Sequence, residues 1–125
     1  MTAYTASNPS AAYRQQSVMT ASPGQLVVML YDGALRFLLQ AATAMRADDN
    51  LLADAKLRRA EAIIDELHVT LDKERGGEIA SRLEGIYVFC KRQLIEARIE
   101  RDPAMIDKVS ELLGELRGAW ATIAA

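Results

Sequence analysis

From Pro23 onward the chain repeats apolar residues at helical spacing in four stretches, separated by short polar or glycine-bearing breaks. The first stretch is the densest. Thr20-Ala21-Ser22-Pro23 reads as a helix start, because a serine oxygen accepts from a backbone N–H one turn on and proline at the first helical position forfeits no hydrogen bond. In the helix expected from Pro23 to about Ala47, Leu26, Leu30, Gly33, Phe37, Ala41 and Ala44 form one stripe that alone would suffice for a core. Val28, Tyr31, Leu35, Leu39 and Ala42 form a second, displaced around the axis, with Val27, Ala34, Leu38 and Met45 filling the gap between the two. Only Gln25, Asp32, Arg36, Gln40 and Thr43 remain as a polar strip. The apolar arc therefore covers roughly 240°, where an ordinary surface helix needs little more than 100°.

Asp48-Asp49-Asn50 supplies a short turn with Asn50 as N-cap, so the next helix, expected from Asn50 to Leu71, runs antiparallel to the first. Its apolar face is Leu52, Ala53, Leu57, Ala60, Ile63, Ile64, Leu67 and Leu71. Gly76-Gly77 after a charged run favours a helix end and a loop. A third helix is expected from about Glu78 to Glu100, with Ile79, Leu83, Ile86, Tyr87, Cys90, Leu94 and Ala97 as its core stripe. Val88, Ile95 and Ile99 recur roughly opposite that stripe and give this helix a second apolar face. Asp102-Pro103 starts a fourth helix, whose core face is Met105, Ile106, Val109, Leu112, Leu113, Leu116, Trp120 and Ile123. Four amphipathic helices with short connections predict an all-α fold, an antiparallel up-down four-helix bundle over residues 17–125. Residues 1–16 are small and polar apart from Tyr4 and Tyr13, and are expected to form a flexible or short-helical arm.

Composition narrows the function. A chain of 125 residues is long enough for one proper core. Its 15 basic and 17 acidic residues are interspersed, which argues against nucleic acid as the main partner. Cys90 is the only cysteine, so no intrachain disulfide forms, and with no leader pattern or long uninterrupted apolar run the expected location is the cytoplasm. His68 is the only histidine and is placed on the polar flank of the second helix, away from Cys90 on the core stripe of the third. Asp65-x-x-His68 lacks the second carboxylate–histidine pair that a di-iron bundle needs, and Gly76-Gly77 lacks a phosphate-binding lysine. No enzyme activity, cofactor or metal is expected. The surplus apolar faces suit a groove that takes an amphipathic segment of another protein, with Val28, Tyr31, Leu35, Leu39, Val88, Ile95 and Ile99 as candidate contacts. The alternative is a structural bundle whose extra faces pair with copies of itself.

Tyr13, Val18, Thr20-Ala21-Ser22, Leu26 and Met29-Leu30-Tyr31-Asp32-Gly33-Ala34 resemble the signature of flagellar export chaperones of the FliS type. Ile86-Tyr87, Arg92, Leu94, Glu96-Ala97, Asp102, Leu71-Asp72 and Ala119-Trp120 extend the likeness. The resemblance implies a non-enzymatic helical bundle in the cytoplasm. It would hold the disordered C-terminal segment of flagellin, stop its premature polymerisation and present it to the cytoplasmic domain of the export-gate membrane protein FlhA. It also implies that the N-terminal segment, with Tyr13 and Val18, takes part at the export gate.

Overall fold

Ser22 opens the first helix by a reciprocal cap: its side chain accepts from the Gln25 N–H at 3.2 Å, and the Gln25 side chain accepts from the Ser22 N–H at 2.8 Å. Helix α1 then runs Pro23–Arg46 in the computed structural model, which describes residues 21–124. Helices α2 (Asn50–Val69), α3 (Lys73–Glu100) and α4 (Pro103–Ala124) follow, and there is no strand among the described residues. The expected arm over residues 1–16, Tyr13 and Val18 lie outside the described residues.

The connections differ from expectation in three places. Asp49, not Asn50, caps α2, accepting from Leu52 N–H at 3.2 Å, after Asp48 has turned the chain with φ of 58°. Helix α2 stops at Val69 rather than Leu71, where the Thr70 hydroxyl donates back to the Glu66 carbonyl at 2.9 Å. Asp72 then caps a first helical turn, accepting from Arg75 N–H at 3.0 Å, and the backbone breaks where the glycine pair was expected to break it, one turn into α3, before the long helical run to Glu100. Gly77, with φ 52° and ψ −126°, takes up the misfit as a kink. At the far end Arg101 turns left-handed, and the Asp102 side chain accepts from Ala104 N–H at 3.0 Å to launch α4 as expected.

Helix α1 lies along α2 on one flank and α4 on the other, and α3 closes the square diagonally opposite. Small residues on α1 permit close approach: a Cβ on Gly33 would sit 3.2 Å from Ile63 Cδ1 of α2. The core gathers on Tyr31, Ala34, Leu38, Leu57, Ile64, Tyr87, Cys90, Leu94, Ile106 and Leu113. Its centre on α1 is the Ala34–Leu38–Met45 row between the two expected stripes, so Leu26 is exposed while Leu30 and Phe37 are only half-buried. Ile79 is another correction, being 71% exposed while Ala80 beside it is buried. Ion pairs fasten the flanks. Asp54 meets Arg101 at 2.8 Å, Asp65 meets Lys91 at 2.9 Å and Glu61 meets Arg98 between α2 and α3. Asp32 meets Arg117 at 2.8 Å and Arg46 meets Asp107 at 2.5 Å between α1 and α4. Water screens such solvent-facing pairs, so each adds little and it is the buried core that holds the bundle closed.

Candidate functional site

Burial sorts the seven candidate contacts. Tyr31 is fully buried, and its hydroxyl lies 2.6 Å from that of Tyr87 across the core. It is therefore a core residue and not a surface contact, a correction forced by the phenol finding its polar partner inside. Leu35 is half-buried and packed against the core, and Val28 is half-buried beside it on the α4 flank of α1. Leu39, one further turn along, is 67% exposed. It lies seven residues from both Asp32 and Arg46, on the helical row whose two ends are paired to α4. On α3, Val88 is half-buried, while Ile95 and Ile99 are 47% and 72% exposed. The α1 and α3 edges belong to diagonal helices, with α2 and α4 standing between them, so the fold does not bring the candidates into one groove.

Two further apolar features were not singled out from sequence. Phe89 is exposed on the α4 flank of α3. At the end of the bundle where α1 begins, a cleft of about 360 Å³ opens between Val27, Leu71, Ile79, Leu83 and Trp120. The misplaced Ile79 was the signal for it. A residue on the core row left exposed among the described residues marks a gap between helices.

The polar groups with chemical potential are engaged. His68 Nε2 lies 2.9 Å from Glu84 Oε2 and Nδ1 lies 3.0 Å from the Lys91 ammonium, and Lys73 also reaches Glu84 at 2.6 Å. The Lys73 and His68 hydrogen bonds hold the Glu84 carboxyl below the usual carboxylate range. Cys90 is fully buried, and burial pushes its thiol up to about 11, so it stays protonated near neutrality. No cluster of three His, Cys, Asp or Glu suited to a metal occurs among the described residues. What the arrangement offers is apolar surface on a rigid frame.

The model of the family "Flagellar protein FliS" matches residues 6–125. A "Flagellar secretion chaperone FliS" of Salmonella typhimurium is 40% identical over 125 residues, covering 96% of this chain and 92% of the relative. Its counterpart in Bacillus subtilis is 39% identical over 113 residues, covering 90% of this chain and 84% of the relative. A solved structure, "Crystal structure of flagellar chaperone from bacteria", superposes with a TM-score of 0.76 at 18% identity, over 92% of this chain and 97% of that one, which supports the four-helix fold. With its four helices, and with a sequence match running through nearly the whole length, the chain belongs to the FliS family of flagellar secretion chaperones.

Proposed function

We propose that this chaperone works in the cytoplasm, where it binds the disordered C-terminal segment of flagellin, prevents its premature polymerisation and delivers it to the cytoplasmic domain of FlhA at the export gate. The carrying observation is apolar surface left outside a closed core on two helices: Leu39 on α1, and Ile95 and Ile99 on α3. Exposed leucine and isoleucine at helical spacing suit a segment that folds as it docks. The client loses ordering entropy, and burial of a few anchors offsets it, at about 1.5–3 kcal/mol for each fully buried side chain. Because the two edges sit on diagonal helices, the client would wrap around the bundle rather than lie in one groove.

Calorimetric titration with a peptide from the C-terminal end of the same organism's flagellin tests this. Leu39→Asp and Ile95→Asp are expected to keep the helical circular dichroism and to weaken binding at least tenfold, about 1.4 kcal/mol. Leu35 is a poorer probe because a charge there would strike the core. Native affinity in both variants would remove the site assignment, and a stable dimer that ignores the peptide in light scattering would favour self-association instead. For the gate step, Tyr13→Ala is expected to spare client binding and weaken pull-down of the FlhA cytoplasmic domain; unchanged pull-down would count against a role for Tyr13.

A further inference from the structure

Helix α2 divides its charges unevenly. Three of its four acids, Asp54, Glu61 and Asp65, meet basic residues of α3 and its C-cap, while Glu66 is in no ion pair among the described residues. Of its three bases, Arg58 lies near Asp54, and Lys56 and Arg59 turn toward α1, where they converge on the half-buried ring of Phe37. The Lys56 ammonium lies 5.5 Å from the ring centroid, the Arg59 guanidinium 5.7 Å, and the guanidinium of Arg36 on α1 5.6 Å. None of the three is in an ion pair among the described residues. Asp32, four residues before Arg36 and well placed to neutralise it, is committed to Arg117 of α4. Lys56 and Arg59, three apart on one helix, repel each other. Cation–π attraction to one ring gathers the charges without cancelling them. A protein with net charge −2 thus carries on one face a cluster of three cations with no ion-pair partner among the described residues.

Beside this cluster a groove of about 610 Å³ runs between the C-terminal half of α1 and the start of α2, with Leu39, Thr43, Ala44, Leu52 and Lys56 among its lining and one acid, Asp49, at its α2 end, where its side chain is engaged in capping the helix. Leu52 is exposed on its wall, so the face combines an apolar floor with a basic rim. We propose that this α1–α2 face docks an acidic amphipathic helix of a partner protein, its apolar stripe against Ala44 and Leu52 and its carboxylates on Arg36, Lys56 and Arg59. Charge complementarity names the occupant: a carboxylate here gains charge-assisted contacts with cations that have no ion-pair partner among the described residues, and a basic helix is repelled. Of the three cations Lys56 lines the groove itself, while Arg36 and Arg59 meet it at the Phe37 ring beside the groove. The groove shares Leu39 with the proposed client edge and extends from it toward the α2 flank of α1, away from α4.

The test uses the isotope-labelled full chain and two synthetic helical peptides of about 20 residues with the same leucine stripe, one flanked by glutamates and the other by lysines. The glutamate peptide is expected to shift amide signals around Arg36, Ala44 and Lys56 and to bind less tightly as salt rises. Its affinity should fall at least tenfold in the triple variant R36Q/K56Q/R59Q, whose circular dichroism should match wild type, while binding of the flagellin C-terminal peptide is unchanged. Failure of both peptides to bind, equal binding of the lysine peptide, or undiminished binding by the triple variant overturns the proposal. So does co-sedimentation with phosphatidylserine vesicles that the triple variant loses while the glutamate peptide stays unbound, which would assign the face to a lipid surface. Loss of flagellin peptide binding in the triple variant would fold the cluster into the client site and overturn its independence. Should wild type not bind the flagellin peptide at all, the client reading fails while the glutamate and lysine arms still decide this one.

Discussion

The Tyr31–Tyr87 pair is the only place where two side-chain hydroxyls of the described core satisfy each other, and that makes each dependent on its partner. Either hydroxyl can donate, so Tyr31→Phe or Tyr87→Phe alone leaves a buried oxygen without its mate, at a cost of about 1–3 kcal/mol. The double variant removes both hydroxyls together, so neither is left facing the other's empty place, and it deprives only the Trp120 side chain beside Tyr31 of a partner. In urea denaturation it is expected to lose clearly less than the sum of the singles, with a coupling of about 1 kcal/mol; strict additivity would mean the pair is not a functional hydrogen bond. Burial raises the hydroxyl of Tyr87, that of Tyr31 and the thiol of Cys90. A group raised in the folded state holds its proton more tightly there, so its stabilisation is whole below the unfolded value and is lost as pH climbs toward the folded one. With Cys90 at about 11, stability should begin to fall above roughly pH 9. Denaturation midpoints at pH 8 and 10.5 check the direction, and the double phenylalanine variant should show the shallower loss. Cys90 itself should ignore Ellman's reagent at pH 8 until the chain is unfolded. Sequence placed Tyr31 on a surface stripe because helical spacing gives direction but not what stands opposite, and here Tyr87, 56 residues on, draws it inward.

At the scale of elements, local chemistry was legible and tertiary chemistry was not. Ser22-Pro23 and Asp102-Pro103 start helices because everything a cap needs lies within one turn. The glycine pair was legible for the same local reason. Paired glycines favour a break, and the backbone breaks at Gly77, although Asp72 caps one helical turn before the pair is reached. Gly77 is where that conflict is absorbed, in a backbone region that other residues avoid. Gly77→Ala is expected to cost about 1–3 kcal/mol although no atom lies within 4 Å of the new methyl, because the penalty is purely torsional. Gly85→Ala, also in open space but in regular helix, should instead stabilise by about 0.5–1 kcal/mol. Thermal melts of the two variants should move in opposite directions, and a shared sign would refute the assignment of strain to Gly77. The seam of acids on α2 and bases on α3 was invisible as a seam because each partner belongs to a different helix, and only the folded register sets Asp54 against Arg101 and Asp65 against Lys91.

At the scale of the whole molecule, the surplus of apolar surface was readable from the 240° arc of α1, and so was its division, because a square up-down bundle sets the first and third helices on a diagonal. The arrangement is that square, so the α1 and α3 edges face different ways; which residues of each stripe stay exposed needed the packing itself. A client that engages both must span two corners, and its affinity then arises from linkage as much as from contact. If the flagellin peptide is divided at its middle, each half should bind weakly, one half losing its binding to Leu39→Asp and the other to Ile95→Asp. The undivided peptide should bind more tightly than either half by about 10²- to 10⁴-fold, because docking one half confines the other near its edge at high effective concentration. Each single variant should then reduce the undivided peptide to roughly the affinity of the surviving half. Calorimetry with the three peptides and two variants distinguishes this from a single-groove mode, in which one half would carry the full affinity and both substitutions would act on it.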